Sequence, residues 1–225
     1  VEFGGPIGVL NEAMNRPAMW NYRVFYGGGS GRWAGNIGGR YFTYDNHRYT
    51  YSVGGLVSAN LVGYLGRFDS MFLCTPAPLA VNLRVGAKYD QRAQERFPAA
   101  NGRLYVRAGR LVLTAESYLK WEQEFISFQH AYNLTVGFLA IPEWLMVAFD
   151  YGEFKAEPYQ DIPDTFETDL KKIRDTDRLR VATHLYVYKN IGLLSLLYDR
   201  ENIEATEQAD GSLNHTVRMA AQYRF

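Results

Sequence analysis

Four histidines, one cysteine and a series of evenly spaced arginines are the residues of this 225-residue chain whose types could do chemistry. On an extended segment a general base and a nucleophile two residues apart share one face and come within reach of each other. The histidines stand in "HRY", "HAY", "HLY" and "HTV", at His47, His130, His184 and His215, so none has a serine two places on. His184 meets Ser195 only if two segments pair, and a lone histidine inside a sheet more often fills a hydrogen bond than acts as a base. Cys74 is alone, which excludes an internal disulfide and a cysteine-rich metal site. The acidic stretch 156–177 lacks the ligand spacing of a calcium loop. "GGGSG" at 27–31 reads as a turn, because no helix or Lys-Ser follows to cradle a phosphate. No catalytic residue, metal or cofactor is expected. What remains is the electrostatics of the arginines, which depends on where the backbone aims them.

The backbone is written in period two. "LAVNLRVGAKYD" sets Leu79, Val81, Leu83, Val85, Ala87 and Tyr89 against Ala80, Asn82, Arg84, Gly86, Lys88 and Asp90. "AYNLTVGFLA", "EWLMVAFDYG" and "RLRVATHLYVY" repeat the pattern. Such alternation marks strands whose two faces meet different surroundings. With 17 Tyr, 13 Phe, 4 Trp and 21 Gly, composition also favours strands and tight turns. About twelve such segments of roughly nine to fourteen residues can be laid out, the length a tilted strand needs to cross a bilayer core. They include "RWAGNIGGRYFTY" (32–44) and "LVGYLGRFDSMFLC" (61–74), with a parity change near Gly109 read as a bulge. Connections at 45–47, 75–78, 116–117, 141–142 and 189–190 are tiny, while 91–102, 156–177 and 202–213 are long. No run of eighteen apolar residues or signal peptide is seen, but neither is needed by a barrel that hides its apolar band in alternate residues. The expected fold is all-β: a closed antiparallel transmembrane β-barrel, 12 strands, short periplasmic turns and longer extracellular loops, with both termini on the periplasmic side. Residues 18–225 form the barrel, and residues 1–17 are a plug, a tether or a tail in which "IGVLNEAMN" has helical character.

The end of the chain, "NHTVRMAAQYRF", carries a resemblance. Val217, Met219, Ala221, Tyr223 and Phe225 form an alternating apolar series closing on an aromatic residue. This resembles the assembly signal of bacterial outer-membrane β-barrel proteins. The resemblance implies insertion by the barrel-assembly machinery, a place in the cell outer membrane, and lipid and lipopolysaccharide as partners. In strand number and wall charge the chain is also similar in architecture to small twelve-stranded porins for acidic sugars. The lipases and deacylases among such barrels carry His and Ser two residues apart, which this chain lacks.

If the apolar parity faces lipid, the inward bases are Arg23, Arg32, Arg40, Arg48, Arg67, Arg84, Lys88, Arg103, Arg107, Lys120, Arg178, Arg180, Arg218 and Arg224. The inward acids are Asp69, Asp90, Glu122, Glu124, Asp150, Asp199 and Glu201. Net charge is zero because the other acids lie in the loops, so nothing global points to nucleic acid. An excess of arginine in a low-dielectric wall focuses positive potential inward and grips carboxylates. One reading is a porin-like, anion-preferring channel for small, acidic solutes. Another is that the charges pair with one another and fill the lumen. The competing functions are a secretion or translocation barrel with an N-terminal plug, and a non-conducting barrel binding partners in an envelope complex. Inward Phe25, Tyr105, Trp144 and Tyr186 could stack on sugar rings.

Overall fold

The computed structural model describes residues 1–15, 19–27, 51–65, 72–91, 96–123, 126–157, 174–187, 192–205 and 210–223. Eleven strands follow one another through a single antiparallel sheet in chain order. They are β1 (Glu2–Pro6), β2 (Trp20–Gly27), β3 (Tyr51–Val62), β4 (Ala77–Gln91), β5 (Arg96–Gly109), β6 (Leu111–Glu122), β7 (Ser127–Ile141), β8 (Leu145–Ala156), β9 (Thr176–Val187), β10 (Gly192–Ile203) and β11 (Ser212–Tyr223). The strand count therefore differs from the expected twelve. β1 and β11 stand at the two ends of the order, and no pairing joins them among the described residues.

The sheet is strongly curled. Phe25 on β2, Lys88 on β4 and Phe154 on β8 line one cavity of about 500 Å³. Six strand spacings of about 4.8 Å would hold β2 and β8 nearly 30 Å apart in a flat sheet. Curling makes one face concave and the other convex, and the two carry different chemistry. On the convex face Leu83, Val85, Leu134, Phe138, Phe149, Val181, Leu185 and Leu196 are exposed. On the concave face Asp90, Glu122, Asp150, His184 and Asp199 are buried or half-buried.

Strand ends explain where sequence and structure part. Arg110 alone joins β5 to β6, so the parity change at Gly109 is a tight turn, not a bulge. Gly109 takes φ +57°, the left-handed region. Residues 116–117, expected as a turn, lie inside β6, and most of the expected loop 91–102 is β5. "RWAGNIGGRYFTY" lies outside the described residues, and β2 pairs directly with β3. Of the expected 61–74 strand, Leu61 and Val62 are the end of β3, 63–65 and 72–74 are not strand, and the residues between lie outside the described ones.

Short connections at 110, 142–144 and 188–191 share one end of the sheet with Trp20 and Ala77, and this is called the short-turn end. The long ones, 28–50, 157–175 and 204–211, share the other, the long-loop end. The segregation is incomplete, because 63–76 is long at the short-turn end while 92–95 and 123–126 are short at the other. The expectation that both termini share one end is also corrected. Val1 lies beside Tyr26 at the long-loop end, and Tyr223 pairs with Gly192 at the short-turn end.

Residues ahead of β2 extend the sheet instead of standing outside it. β1 pairs antiparallel with β2, from Glu2 opposite Phe25 to Pro6 opposite Asn21. The short helix α1 (Gly8–Ala13) follows, and buried Asn11 ties it down. Its side-chain oxygen accepts from the Trp20 N–H at 2.7 Å, and its amide donates to the Trp20 carbonyl at 3.2 Å.

A Cβ at position 109 meets no neighbour, so only backbone strain opposes a side chain there. Gly109→Ala should cost about 1 kcal/mol and Gly109→Asn less, read as the midpoint shift in a urea titration followed by tryptophan fluorescence.

Candidate functional site

The concave face is built in register rows, because antiparallel pairing sets residues of neighbouring strands directly opposite one another. One row runs Ser58, Arg84, Arg103, Glu116, Asn133, Gly152, Arg178, Glu201 across β3 to β10. The next row towards the short-turn end runs Asn60, Asn82, Tyr105, Thr114, Thr135, Asp150, Arg180, Asp199. These two rows form a charged belt.

The belt is largely self-paired. Arg103 Nε lies 3.0 Å from Glu116, whose other oxygen accepts from the Tyr118 hydroxyl at 2.7 Å. Asp150 joins three strands: Arg180 Nε donates to one oxygen at 2.6 Å, while Asn133 and Thr135 donate to the other at 2.9 and 2.7 Å. Arg178 grips Asp199 with two nitrogens, Nε at 2.8 Å. Two-point contacts of this kind are the strong form of an arginine–carboxylate pair. Arg23 faces Glu2 at 3.7 Å. Arg107 donates to the Tyr64 carbonyl at 3.1 Å.

Nine of the expected inward bases are described, and register puts all nine on the concave face: Arg23, Arg84, Lys88, Arg103, Arg107, Lys120, Arg178, Arg180 and Arg218. Arg32, Arg40, Arg48, Arg67 and Arg224 lie outside the described residues, as do Asp69 and Glu124. Among the described residues the acids of this face number seven, Glu2, Asp90, Glu116, Glu122, Asp150, Asp199 and Glu201, so the nine described bases exceed them by two. Sequence reading missed Glu116 because a turn was placed on it, and Glu2 because β1 was not seen. Trp144 is 63% exposed in the β7–β8 turn, and its carbonyl accepts from the Tyr186 N–H.

Toward the short-turn end the concave face turns apolar. Tyr105, Val112, Leu139, Met146 and Tyr186 form a buried cluster with Leu65 and Leu73 from the 63–76 connection. The described residues of this connection pack against the concave face. Its Leu73 N–H points at Met146 Sδ at 3.4 Å, Phe72 meets the His184 ring edge-on at 4.7 Å, and the Cys74 carbonyl accepts from the Glu143 N–H at 2.6 Å. This explains part of the apolar look of 61–74 at both parities: Leu65 and Leu73 fill a space and do not line a strand face.

His184 Nδ1 lies 2.8 Å from Ser195 Oγ, on directly opposed positions of β9 and β10. No carboxylate bonds the imidazole among the described residues, and the backbone N–H groups of the paired strands around it are committed to the ladder. His215 instead meets the Tyr198 hydroxyl at 2.8 Å on the convex face. Among the described residues no group of three histidine, cysteine or acidic side chains could hold a metal ion.

The terminal series splits. Val217 and Met219 are 69% and 83% exposed on β11, and Ala221 is exposed beside them. Tyr223 ends β11, and Phe225 lies outside the described residues. No protein-family model, curated protein or solved structure matches the chain.

Replacing Asp150 by Asn removes its charge and turns one of its two accepting oxygens into a donor that faces donors. Asp150→Asn should lower stability by about 1–2 kcal/mol in a urea titration, and adding Arg180→Gln should recover part of the loss. Burial pushes the Cys74 thiol above its ordinary range, and the Glu143 carboxylate adds to the shift. The thiolate is the reactive form. Iodoacetamide labelling followed by mass should therefore be slow at pH 7, accelerate as pH rises through the raised range, and accelerate earlier in Glu143→Gln.

Proposed function

We propose that the chain forms a bacterial outer-membrane β-barrel whose concave wall lines a channel for small solutes with a mild preference for anions. The observation that carries this is the band of exposed Leu, Val and Phe on the convex face of successive strands, opposite a charged concave face. Water tolerates scattered apolar side chains but not a contiguous band of this size. Hydrocarbon requires it, and also requires the backbone to satisfy its own hydrogen bonds, as an antiparallel ladder does. The long-loop end then faces outward and the short-turn end the periplasm. The exposed terminal series Val217, Met219 and Ala221 fits recognition by the barrel-assembly machinery, with lipid and lipopolysaccharide around the wall.

The anion preference is supported by the excess of two bases over acids on the concave face among the described residues. In planar bilayers the current should reverse at a potential favouring chloride over potassium, and Glu116→Gln should strengthen the preference. A clear preference for potassium would remove the reading. At the centre of the apolar band, Phe149→Arg should destabilise the membrane-inserted protein by about 2–4 kcal/mol in refolding titrations into lipid vesicles.

The apolar cluster at the short-turn end favours a second reading, a barrel that does not conduct and serves an envelope complex. Under it, the native protein carries no current while Leu65→Ser with Leu73→Ser opens one.

A further inference from the structure

We propose that the concave face near the long-loop end holds a binding site for an aromatic carboxylate. The inference rests on the channel reading for its biological setting, but its physics is local. A cavity of about 500 Å³ lies there, lined by Phe25, Phe97, Tyr118, Phe154, Lys88 and Lys120 among others. Its volume suits a small organic ligand, and its wall is mainly apolar with a few charged groups, the usual make-up of such sites.

Register explains how the charges converge. Lys88 on β4, Ala99 on β5 and Lys120 on β6 stand in one row. Two strand spacings put the lysine backbones about 10 Å apart. Ala99 leaves a notch between them into which a carboxylate can drop and accept from both ammonium groups. Both ammonium groups lean over the Phe97 ring, at 5.1 Å for Lys88 and 4.4 Å for Lys120 from its centroid. Each is held by an acid two residues on: Lys88 by Asp90 at 3.2 Å and Lys120 by Glu122 at 3.8 Å. Those acids are turned into the wall, 3% and 0% exposed, and neither lines the cavity. The charge presented to a ligand is therefore positive.

The rest of the cavity chooses the ligand body. The Phe25 ring lies over Gly54, where an added Cβ would come within 2.7 Å of both the ring and the Ala87 carbonyl. Glycine there lets the ring lie down against the wall. With Phe97, Phe154 and Tyr118 it gives flat apolar surface for a second ring. Asn101, Gln129 and His130 also line the cavity, but its surface is mainly apolar, so a polyhydroxylated acid would set hydroxyls against apolar wall. An aromatic acid fits where an acidic sugar does not.

The test is calorimetric titration of the folded, detergent-solubilised chain with benzoate and, separately, galacturonate. Benzoate should bind at least about tenfold more tightly, and Ala99→Leu, which fills the notch without touching a charge, should weaken it about tenfold or more. Lys88→Gln with Lys120→Gln should abolish benzoate binding, and Ala99→Leu keeps the test decisive if the double variant fails to fold. Equal affinity for the two acids, or benzoate binding untouched by Ala99→Leu, overturns the proposal. Bilayer current separates the two readings: benzoate binding without current keeps the site and removes the channel, and current without benzoate binding does the reverse.

Discussion

The hydrogen-bonded ladder between neighbouring strands is the constraint on which the rest of this molecule depends. Register is continuous from β1 to β11 apart from local shifts between Asn60 and Val62, between Ala77 and Ala80 and between Leu139 and Ile141. Because side chains alternate, a slip of one residue would move every charge of a strand to the convex face. The Asp150 network shows the dependence. Its donors come from β7 and β9, and only the observed pairings set Thr135 and Arg180 on either side of the carboxylate. The row Lys88, Ala99, Lys120 is likewise a property of register and of no single segment.

How much of this could be read from the sequence follows from the same alternation. In β4, β7, β8 and β9 the apolar parity is strict, and the outward and inward sets agree with the observed faces. The reading failed where two signals share one appearance. A single-residue turn after Gly109 shifts parity as a bulge would, so β6 was displaced and Glu116 lost from the inward set. Pro98, Ala99, Ala100, Asn101 and Gly102 look like loop, yet small side chains are what β5 needs beside the lysines of its neighbours. Leu65 and Leu73 look like strand, yet they fill a concavity whose existence no local pattern announces. The pairing of His184 with Ser195 was conditional on which strands pair, and the ladder supplied the condition.

The concave face is thus graded along its length. At one end stands an aromatic cavity edged by lysines, in the middle a belt in which most bases have an acid within reach, and at the other end leucines from the 63–76 connection. Self-pairing in the belt lowers the net field, so discrimination among solutes falls to the shaped, apolar end more than to charge. Buried ion pairs of this kind contribute little net stability compared with apolar packing, but removing one partner is costly. They therefore fix the wall in one arrangement, which a site with a defined notch requires.

The odd number of strands in this meander has a topological outcome. β1 and β11 both run from the long-loop end toward the short-turn end, so the two edges of the described sheet share a polarity. Brought together directly, they would make the only parallel seam in an otherwise antiparallel cylinder, with slanted hydrogen bonds and weaker pairing. An antiparallel seam instead demands an odd number of strands of net opposite sense inserted between those edges. The direction of two strands thus sets the arithmetic of any closure.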